Sequence, residues 1–465
     1  AITFSNVDLP EPLSPFIKPT EPLEISKLRF STRHFSSYEK VRFFTVMLIF
    51  IWLIYVIFVY NASVFSTAPN LIYLAMYKFK TFNNISEQAL SLLKKAKFEY
   101  DDIEPDAILI RSHTLINEDF NQNLKSIARA GTGFNNIPVE LATNNGIVVF
   151  NTPGANSNAV KELVICGMLL SSRGIIQGNS FAKSLIGKDE IEINNLMEKE
   201  KKIFKGNELK GKVIGIVGLG SVGSLLAQAA SVLGMRIIGY DPYISVDAAW
   251  MLPKEVEKAE NLEYLLSSSD YISLHVPLSN ITKNLVSKKM LDIVKKNAKL
   301  INLSRGGVVN NLDIIDALKN KKLSSYVTDF PTPELIDRSV NYEDVILLPH
   351  LGASTKEAEI NCSVMAAEQT KDFLEHGLIT NSVNFPNVKL SRTTQFRVVI
   401  VHKDEPGVLG KITSEVANNN LNISDMINKS RDKIAITLID LNENPSADLL
   451  KKIYDNENVL TVRVC

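Results

Sequence analysis

Three short strings, far apart in the sequence, carry side chains that could do chemistry together. Residues 213–223 read Val-Ile-Gly-Ile-Val-Gly-Leu-Gly-Ser-Val-Gly, residues 301–307 read Ile-Asn-Leu-Ser-Arg-Gly-Gly, and residues 349–355 read Pro-His-Leu-Gly-Ala-Ser-Thr. Arg305 has a planar cationic fork that can hold a carboxylate through two hydrogen bonds, which lysine cannot copy. His350 can take or return a proton near neutral pH. Beside a bound nicotinamide, these groups predict hydride transfer on a 2-hydroxy acid.

The first string fits the G-x-G-x-x-G pattern of a dinucleotide-binding turn. An apolar run from Val213 to Val217 precedes Gly218, Gly220 and Gly223, and helix-forming residues follow them. This order places the glycines between a buried strand and a helix. Residues without a Cβ let backbone N–H groups and the helix N-terminus approach a pyrophosphate.

The next apolar run indicates which dinucleotide is bound. Residues 236–240 read Arg-Ile-Ile-Gly-Tyr and lead to Asp241, 21 residues beyond Gly220. A carboxylate at this position accepts hydrogen bonds from the adenosine ribose and repels a 2′-phosphate. The sequence therefore predicts NAD, and not NADP, as the cofactor.

The three strings need elements that bring them to one place. Beyond Met76, apolar runs alternate with helical stretches, as in α/β proteins. The runs predict three strands in a first unit and six in a second unit inserted into it: 107–111, 126–130 and 146–151, then 213–217, 236–240, 271–275, 298–302, 325–329 and 345–349. Arg305 and His350 then follow strands of the second sheet, at the edge where open α/β sheets bind ligands.

The segments that join the two units differ in pattern. The charged stretch 185–206 lacks an apolar stripe and is predicted to be a hinge, whereas 356–375 is predicted to be a long helix that returns to the first unit. After Pro386 the order strand, helix, strand, strand, helix, strand is the ferredoxin-like pattern. An appendage used only for oligomerisation is the alternative for this tail.

Composition excludes some function classes. The 465 residues include 51 Lys and Arg against 51 Asp and Glu, so no global charge favours nucleic acid. The three cysteines, Cys166, Cys362 and Cys465, show neither disulfide nor metal-ligand spacing, and we expect no metal. So few cysteines fit a reducing compartment, and we expect a cytoplasmic protein.

Residues 1–75 are expected to be an atypical extension. The segment Phe43–Tyr60 is apolar except for Thr45, and its eighteen residues are about enough to cross a bilayer. Five basic residues precede it, which by the positive-inside rule sends the following enzyme out of the cytosol, away from NAD: Lys27, Arg29, Arg33, Lys40 and Arg42. Because the two signals conflict, we favour a dispensable extension and keep a membrane anchor as the alternative.

The chain from Met76 onward resembles the D-isomer-specific 2-hydroxyacid dehydrogenases, and among them the phosphoglycerate dehydrogenases that end in an ACT domain. The motifs that carry the resemblance include Ala128-Arg-Ala-Gly-Thr-Gly, Tyr240-Asp-Pro-Tyr, His275-Val-Pro-Leu and the three strings above. The resemblance implies a Rossmann-type doubly wound NAD domain (174–349) inserted in a flavodoxin-like substrate domain (76–173 and 350–380), plus an α+β ACT domain (394–465). It implies NAD-dependent oxidation of 3-phospho-D-glycerate to 3-phosphohydroxypyruvate, the first step of L-serine biosynthesis, by a homo-oligomer.

The resemblance also implies roles for individual residues. The catalytic arginine and histidine fall on Arg305 and His350. Cofactor contacts fall on the glycine turn and on Thr132, Ser221, Val222, Asp241, Val276, Leu303, Ser304, Arg305, Asp329, His350, Leu351, Gly352 and Ala353. Substrate contacts fall on Arg111, Ser112 and Asn156.

An acid is expected to orient the imidazole of His350 and raise its pKa, and Glu334 is the candidate. The family usually reads Asp-Val-Phe-x-x-Glu-Pro, whereas this chain reads Thr328-Asp-Phe-Pro-Thr-Pro-Glu. Glu334 keeps the spacing of five from Asp329, but alignment on Phe-Pro-Thr puts Pro333 in the place of the glutamate. Both alignments remain open.

A phosphorylated hydroxy acid carries about three negative charges near pH 7, so it needs more than one cation. Arg111 and Arg129 end strands of the first unit and face the expected cleft, and Lys161 is a weaker third candidate. Two rival functions remain: another D-2-hydroxyacid dehydrogenase acting on lactate, glyoxylate or hydroxypyruvate, and a non-catalytic NAD-sensing protein.

The ACT resemblance implies an amino-acid effector site. Its ligand loop falls on His402-Lys-Asp-Glu-Pro-Gly, and a second contact falls on Asn422. Asp404 stands where serine-binding members usually carry Asn. An ionised Asp only accepts hydrogen bonds and would repel the carboxylate of serine, so we expect weak or no inhibition by serine.

Overall fold

Residues 77–465 are the part of the chain that the computed structural model describes. The extension 1–75 and its apolar segment Phe43–Tyr60 lie outside these residues, so the predictions about them stay untested. Within residues 77–465, every helix is too short or too polar to span a bilayer.

The first unit is a parallel five-stranded sheet in the order β2-β1-β3-β4-β5. This is the flavodoxin-like strand order. All four residues of β3 are buried, as expected for a parallel strand covered on both faces. Its elements are β1 (Lys78–Thr81), α1 (Glu87–Lys95), β2 (Glu99–Tyr100), β3 (Ala107–Ile110), β4 (Ser126–Arg129), α2 (Val139–Asn144) and β5 (Val148–Phe150).

A long helix, α3 (Ser157–Ser172), leads from the first unit to the second. Although it precedes the predicted boundary at residue 173, its buried side chains Val160, Val164 and Met168 pack into the core of the second sheet. The domain boundaries themselves remain a prediction.

The segment after α3 contains the stretch 185–206, whose role as a hinge stays a prediction. The segment is helical, which its polar pattern did not predict. It forms two helices, α4 (Ile175–Ser184) and α5 (Glu190–Glu200), neither of which has a buried residue. The polar pattern therefore reflects helices that pack on no core. Local contacts stabilise α5, because the Asp189 side chain accepts the Glu192 N–H at 2.8 Å at its start.

The second unit is a parallel sheet of seven strands in the order β12-β11-β10-β9-β6-β7-β8. Its elements are β6 (Val213–Val217), α6 (Ser221–Val232), β7 (Arg236–Tyr240), α7 (Val246–Trp250), β8 (Val256–Lys258), α8 (Leu262–Ser268), β9 (Tyr271–Leu274), α9 (Lys288–Leu291), β10 (Ala298–Asn302), α10 (Asn311–Lys319), β11 (Leu323–Thr328), α11 (Pro333–Asn341) and β12 (Val345–Leu347). The strand order reverses beside β6, which makes this the ligand-binding switch point of a Rossmann sheet.

The prediction of six strands missed β8. This strand has three residues, Val-Glu-Lys, and lies at the edge of the sheet, where only β7 pairs with it. A short, charged edge strand lacks the apolar run by which buried parallel strands are recognised. The doubly wound fold itself is confirmed.

The chain returns to the first sheet through α12 (Lys356–His376), which packs against α1 and β4. The last unit then forms an antiparallel sheet in the order β14-β15-β13-β16, which confirms the ferredoxin-like prediction. Its elements are β13 (Phe396–Lys403), α13 (Val408–Asn418), β14 (Ile423–Arg431), β15 (Ile434–Leu441), α14 (Ala447–Tyr454) and β16 (Val459–Val464).

The C-terminal sheet shares a core with the first unit. One of its faces packs under α13 and α14, whereas Val399, Val401 and Leu438 on the other face join the cluster that contains Phe150 and Phe373. A sheet with both faces covered is buried in the body of the protein. The C-terminal unit is therefore packed against the first unit and shares its core.

Candidate active site

The glycine turn between β6 and α6 is shaped by close packing. A Cβ at Gly218, where φ is +92°, would come within 2.7 Å of the His275 carbonyl oxygen, and one at Gly223 would come within 2.0 Å of the Gly218 carbonyl oxygen. A Cβ at Gly220 would meet no atom within 4 Å. Two glycines are thus required by the protein itself, and Gly220 leaves an open approach to the N-terminus of α6. This cradle fits a pyrophosphate.

Asp241 is fixed beside this turn. One carboxylate oxygen accepts the Leu219 N–H at 2.8 Å, and the other accepts the Tyr243 N–H at 2.9 Å. These bonds hold the carboxylate at the end of β7, next to the glycines, where the ribose of a dinucleotide would lie. The residues present therefore fit NAD.

Other predicted cofactor residues border the same turn. Val276 Cγ1 lies 3.1 Å from the point where a Gly218 Cβ would be, and Ser221 Oγ lies 3.2 Å from that of Gly154 in the first unit. The Thr132 hydroxyl donates to the Asn156 side-chain oxygen at 3.3 Å. The loop of the first unit that carries Gly154 and Asn156 thus lies against the start of α6. We call the region between this loop and the carboxyl edge of the second sheet the cleft.

The turn that carries Arg305 is held by a buried amide. Asn302, the last residue of β10, donates to the Arg305 carbonyl at 3.0 Å and accepts from the Ser304 N–H and hydroxyl at 3.2 and 2.9 Å. Arg305 itself is exposed, and its guanidinium donates to the Ser304 carbonyl at 2.7 Å. Asn302 is a functional residue that was not predicted from the sequence. A buried Asn that ends a strand just before an Arg-Gly-Gly turn is the signal that could have found it.

The loop that carries His350 is held by Asp329. This carboxylate lies just after β11, is only 2% exposed, and accepts the Leu351 N–H at 2.8 Å and the Gly352 N–H at 2.7 Å. His350 adopts a left-handed backbone with φ +55°, which is uncommon for a residue other than glycine. Strain of this kind persists where the surroundings hold it and clusters at functional sites.

Phe330 connects the two loops. Its ring makes an edge-to-face contact with the His350 ring, with centroids 5.3 Å apart, and its Cβ lies 3.2 Å from the point where a Gly306 Cβ would be. Gly306 directly follows Arg305. The exposed His350 and Arg305 therefore lie on adjoining loops at the carboxyl edge of the sheet, as predicted from the sequence.

Glu334 lies in the first turn of α11. Its pKa is lowered by a hydrogen bond from its own backbone N–H, and then by bonds from the Thr332 and Asn311 side chains. Within residues 77–465 the structure shows no hydrogen bond or ion pair between Glu334 and His350. The assignment of Glu334 as the orienting acid stays a prediction.

Three arginines converge at the cleft. Arg129 is half-buried and donates to the carbonyls of Arg111 and Gly133 at 3.0 and 2.7 Å. Burial lowers the pKa of Arg129, and the positive charges of Arg305 and Arg111 lower it further. The Arg129 guanidinium is thus within electrostatic reach of Arg305 and of Arg111, and such a concentration of positive charge attracts anions.

The remaining predicted substrate residues have local partners. The backbone N–H of Ser112 donates to the Asn83 side chain at 3.1 Å beside Arg111. Lys161 donates to the Asn158 side chain at 2.6 Å, on the same helix. Nothing in these contacts joins Lys161 to the arginines.

The fold and the site define a class: two α/β domains that meet at a dinucleotide turn, with an arginine and a histidine on adjoining loops, as in nucleotide-dependent hydroxy-acid dehydrogenases. The profile described as "D-isomer specific 2-hydroxyacid dehydrogenase, NAD binding domain" matches residues 168–352, and that of the ACT domain matches 396–458. The D-3-phosphoglycerate dehydrogenase of Haemophilus influenzae is 30% identical over 413 residues, which cover 83% of this chain and 97% of the relative. The chain therefore belongs to the D-3-phosphoglycerate dehydrogenase family.

Another relative and a solved structure have the same name as the Haemophilus relative or a closely similar one. The D-3-phosphoglycerate dehydrogenase of Methanocaldococcus jannaschii is 34% identical over 341 residues, which cover 72% of this chain. The NAD⁺-bound 3-phosphoglycerate dehydrogenase of Entamoeba histolytica superimposes with a TM-score of 0.53 at 27% identity, covering 67% of this chain and 99% of that one. The chain spans 61% of the Methanocaldococcus relative and 57% of those from Synechocystis and Bacillus subtilis.

Alanine substitutions at two glycines of the turn should have different effects, one on cofactor binding and the other on stability. Gly220→Ala places a methyl group in the open approach to α6 and should weaken NADH binding by about tenfold or more, about 1.4 kcal/mol, with little change in melting temperature. Gly223→Ala forces a methyl group against the Gly218 carbonyl and should destabilise the protein by about 1–3 kcal/mol. Fluorescence titration with NADH and thermal unfolding measure the two effects. NADH binding by Gly220→Ala at wild-type affinity would show that no cofactor approaches this glycine.

Proposed function

We propose that this chain catalyses the NAD-dependent oxidation of 3-phospho-D-glycerate to 3-phosphohydroxypyruvate, the first step of L-serine biosynthesis. The observation that carries the proposal is the placement of Arg305 and His350 on adjoining loops, joined by Phe330, beside the dinucleotide turn. The names of the relatives and the ACT match narrow the hydroxy acid to phosphoglycerate. We also infer a cytoplasmic location, because the reaction needs the cytosolic NAD pool.

Each side chain has one task in the proposed reaction. Arg305 is exposed at the cleft and binds the carboxylate of the hydroxy acid through its planar fork. The imidazole of His350 takes the hydroxyl proton as general base and returns it in the reverse direction. Bound at the glycine turn and Asp241, NAD would supply the acceptor for the hydride of C2. Asp329 and Asn302 hold the two loops in place through hydrogen bonds to backbone groups of those loops.

The phosphoryl group requires a second cationic site. Arg111 and Arg129 lie at the ends of β3 and β4, on the first-unit side of the same cleft. A phosphoryl group carries about 1.5 to 2 negative charges near pH 7, which this pair of cations would balance. Lactate and glyoxylate have only the carboxylate that Arg305 binds, so they would leave the pair without an anion. Another D-2-hydroxyacid dehydrogenase remains the second candidate, since Arg305 and His350 serve any 2-hydroxy acid.

We further propose that the protein is a homo-oligomer. The segment 175–204, which contains α4 and α5, exposes several apolar side chains, among them Ile186 at 90%, Ile191 at 76% and Ile203 at 65%. A second copy of the chain is the proposed partner, since patches of this kind mark interaction sites. Light scattering of the eluted protein should give a mass above that of one chain.

The central test compares substrates and a histidine variant. Wild-type protein should reduce 3-phosphohydroxypyruvate with NADH far more efficiently than pyruvate or glyoxylate, and Asp241 should make NADPH a poor substitute. His350→Ala should lose about 10²–10⁴-fold in turnover, the usual contribution of a placed general base. Steady-state absorbance assays measure these rates. Near-normal turnover by the variant would remove His350 from the mechanism, and a preference for pyruvate or glyoxylate would favour the second candidate.

The ACT unit is proposed to hold an amino-acid effector site with poor affinity for serine. The Asp404 N–H donates to the Lys433 carbonyl at 2.9 Å, and its side chain is exposed in the loop after β13. Since the carboxylate would repel that of serine, millimolar serine should inhibit the wild type weakly, whereas Asp404→Asn should gain sensitivity. Inhibition curves of both proteins decide this. Strong wild-type inhibition at micromolar serine would contradict it.

A further inference from the structure

A carboxylate enters the arginine cluster from α12. Glu359 lies in the first turn of this helix, nine residues after His350, and one of its carboxylate oxygens lies 2.7 Å from Nη2 of Arg111. Both side chains are partly exposed, at 44% for Glu359 and 34% for Arg111. The pair joins α12 to the end of β3 at the rim of the cleft.

This contact opposes the expected use of Arg111. If Arg111 binds the phosphoryl group, that group must either displace the Glu359 carboxylate from the guanidinium or bind beside it. The Glu359 carboxylate and a phosphoryl group bound to the same guanidinium would repel each other. The ion pair between Glu359 and Arg111 is partly exposed and contributes little stability, so it can be displaced. Arg129 and Arg305 have no such competitor among the ion pairs of residues 77–465, so the carboxylate acts on one cation of the cluster.

We propose that Glu359 is a specificity-determining residue that competes with the phosphoryl group for Arg111. The proposal rests on the proposed function, in which Arg111 belongs to the phosphoryl-binding side of the cleft. Glu359 lowers the affinity for a phosphorylated 2-oxo or 2-hydroxy acid and for inorganic phosphate. It affects unphosphorylated 2-oxo acids less, because their one carboxylate is held by Arg305.

The geometry gives the direction of the effect. Glu359→Gln keeps the shape of the side chain and removes its charge, which frees the guanidinium of Arg111 and ends the repulsion of the incoming dianion. Since an exposed ion pair contributes up to about 1 kcal/mol, the expected gain in phosphate affinity is about two- to fivefold. A structural role for Glu359 predicts the opposite sign, because loss of the ion pair would leave Arg111 less well placed.

The test measures KM for 3-phosphohydroxypyruvate and for pyruvate or glyoxylate in three proteins: wild type, Glu359→Gln and Glu357→Gln. Glu357 is an exposed carboxylate of the same first turn of α12, so its variant controls for a general change of charge at the helix start. Glu359→Gln should lower KM for the phosphorylated substrate about two- to fivefold and change the other KM by a smaller factor. Glu357→Gln should change the ratio of the two KM values less than Glu359→Gln does.

A double variant tests whether the effect passes through Arg111. In the Arg111→Gln background, the change from Glu359 to Gln should lower KM for the phosphorylated substrate less than it does in the wild type. A gain of equal size in both backgrounds would contradict competition for this guanidinium. A KM that rises or stays constant in Glu359→Gln would also overturn the proposal.

Inorganic phosphate separates this proposal from the proposed function. Calorimetric titration of wild type and Glu359→Gln with phosphate needs no turnover, and tighter binding by the variant supports competition at Arg111. Equal or weaker binding contradicts it. Failure of the wild type to reduce 3-phosphohydroxypyruvate would instead contradict the proposed substrate, whatever the phosphate titration shows.

Discussion

The buried carboxylate of Asp329 is the interaction on which the geometry of the candidate site depends. Both of its oxygens accept backbone N–H groups from the loop that follows β12, and the residue is almost fully enclosed. A buried charge is tolerated only when its hydrogen bonds are made. Movement of the loop away from Asp329 would leave this carboxylate buried without partners, at a large cost in free energy. His350, in its left-handed conformation, stands at the start of this loop and is directed by it.

Helix α12 connects the C-terminal unit to the loop that carries His350. Helix α12 begins six residues after His350, and its last carbonyls are capped by the C-terminal sheet: Arg463 donates to Phe373 and Leu374 at 2.5 and 2.6 Å, and the fully buried Arg397 donates to His376 at 3.2 Å. Arg397 is itself held by Asp440, with N–O distances of 2.6 and 2.8 Å. One helix thus follows the loop that carries His350 and ends against the C-terminal sheet.

Much of the fold and of the candidate site was predictable from the sequence, because local residue patterns indicate it. The glycine turn, Asp241 after its strand, Arg305, His350 and the βαββαβ tail all follow from runs of residues whose spacing matches one element. The misses were non-local or weakly patterned. The edge strand β8 is too short and polar to stand out, and α4 and α5 bury nothing. The Asp329 and Glu359 contacts join residues far apart in the sequence, so only the fold reveals their partners. Asn302 acts within its own turn, and its local signal was overlooked.

The shared core of the first and last units also lay beyond sequence reasoning. Alternation along β13 predicts a strand with two faces, but the identity of the surface that covers the second face depends on docking. Position-specific substitutions are therefore more informative than motifs for this site. They separate residues proposed to bind ligands, such as Arg305, from residues that act through the backbone.

Substitution of Asp329 by Asn tests the central claim most directly. Asn replaces one acceptor oxygen with an N–H₂ group that faces a backbone N–H, which costs about 1–3 kcal/mol in the buried loop. We predict that kcat at saturating NADH and 2-oxo acid falls about 10- to 100-fold, while NADH still binds and Asp337→Asn, an exposed control on α11, retains wild-type kcat. An Asp329→Asn protein with kcat within about twofold of the wild type, well below the tenfold loss that 1.4 kcal/mol gives, would contradict the claim that this carboxylate positions His350.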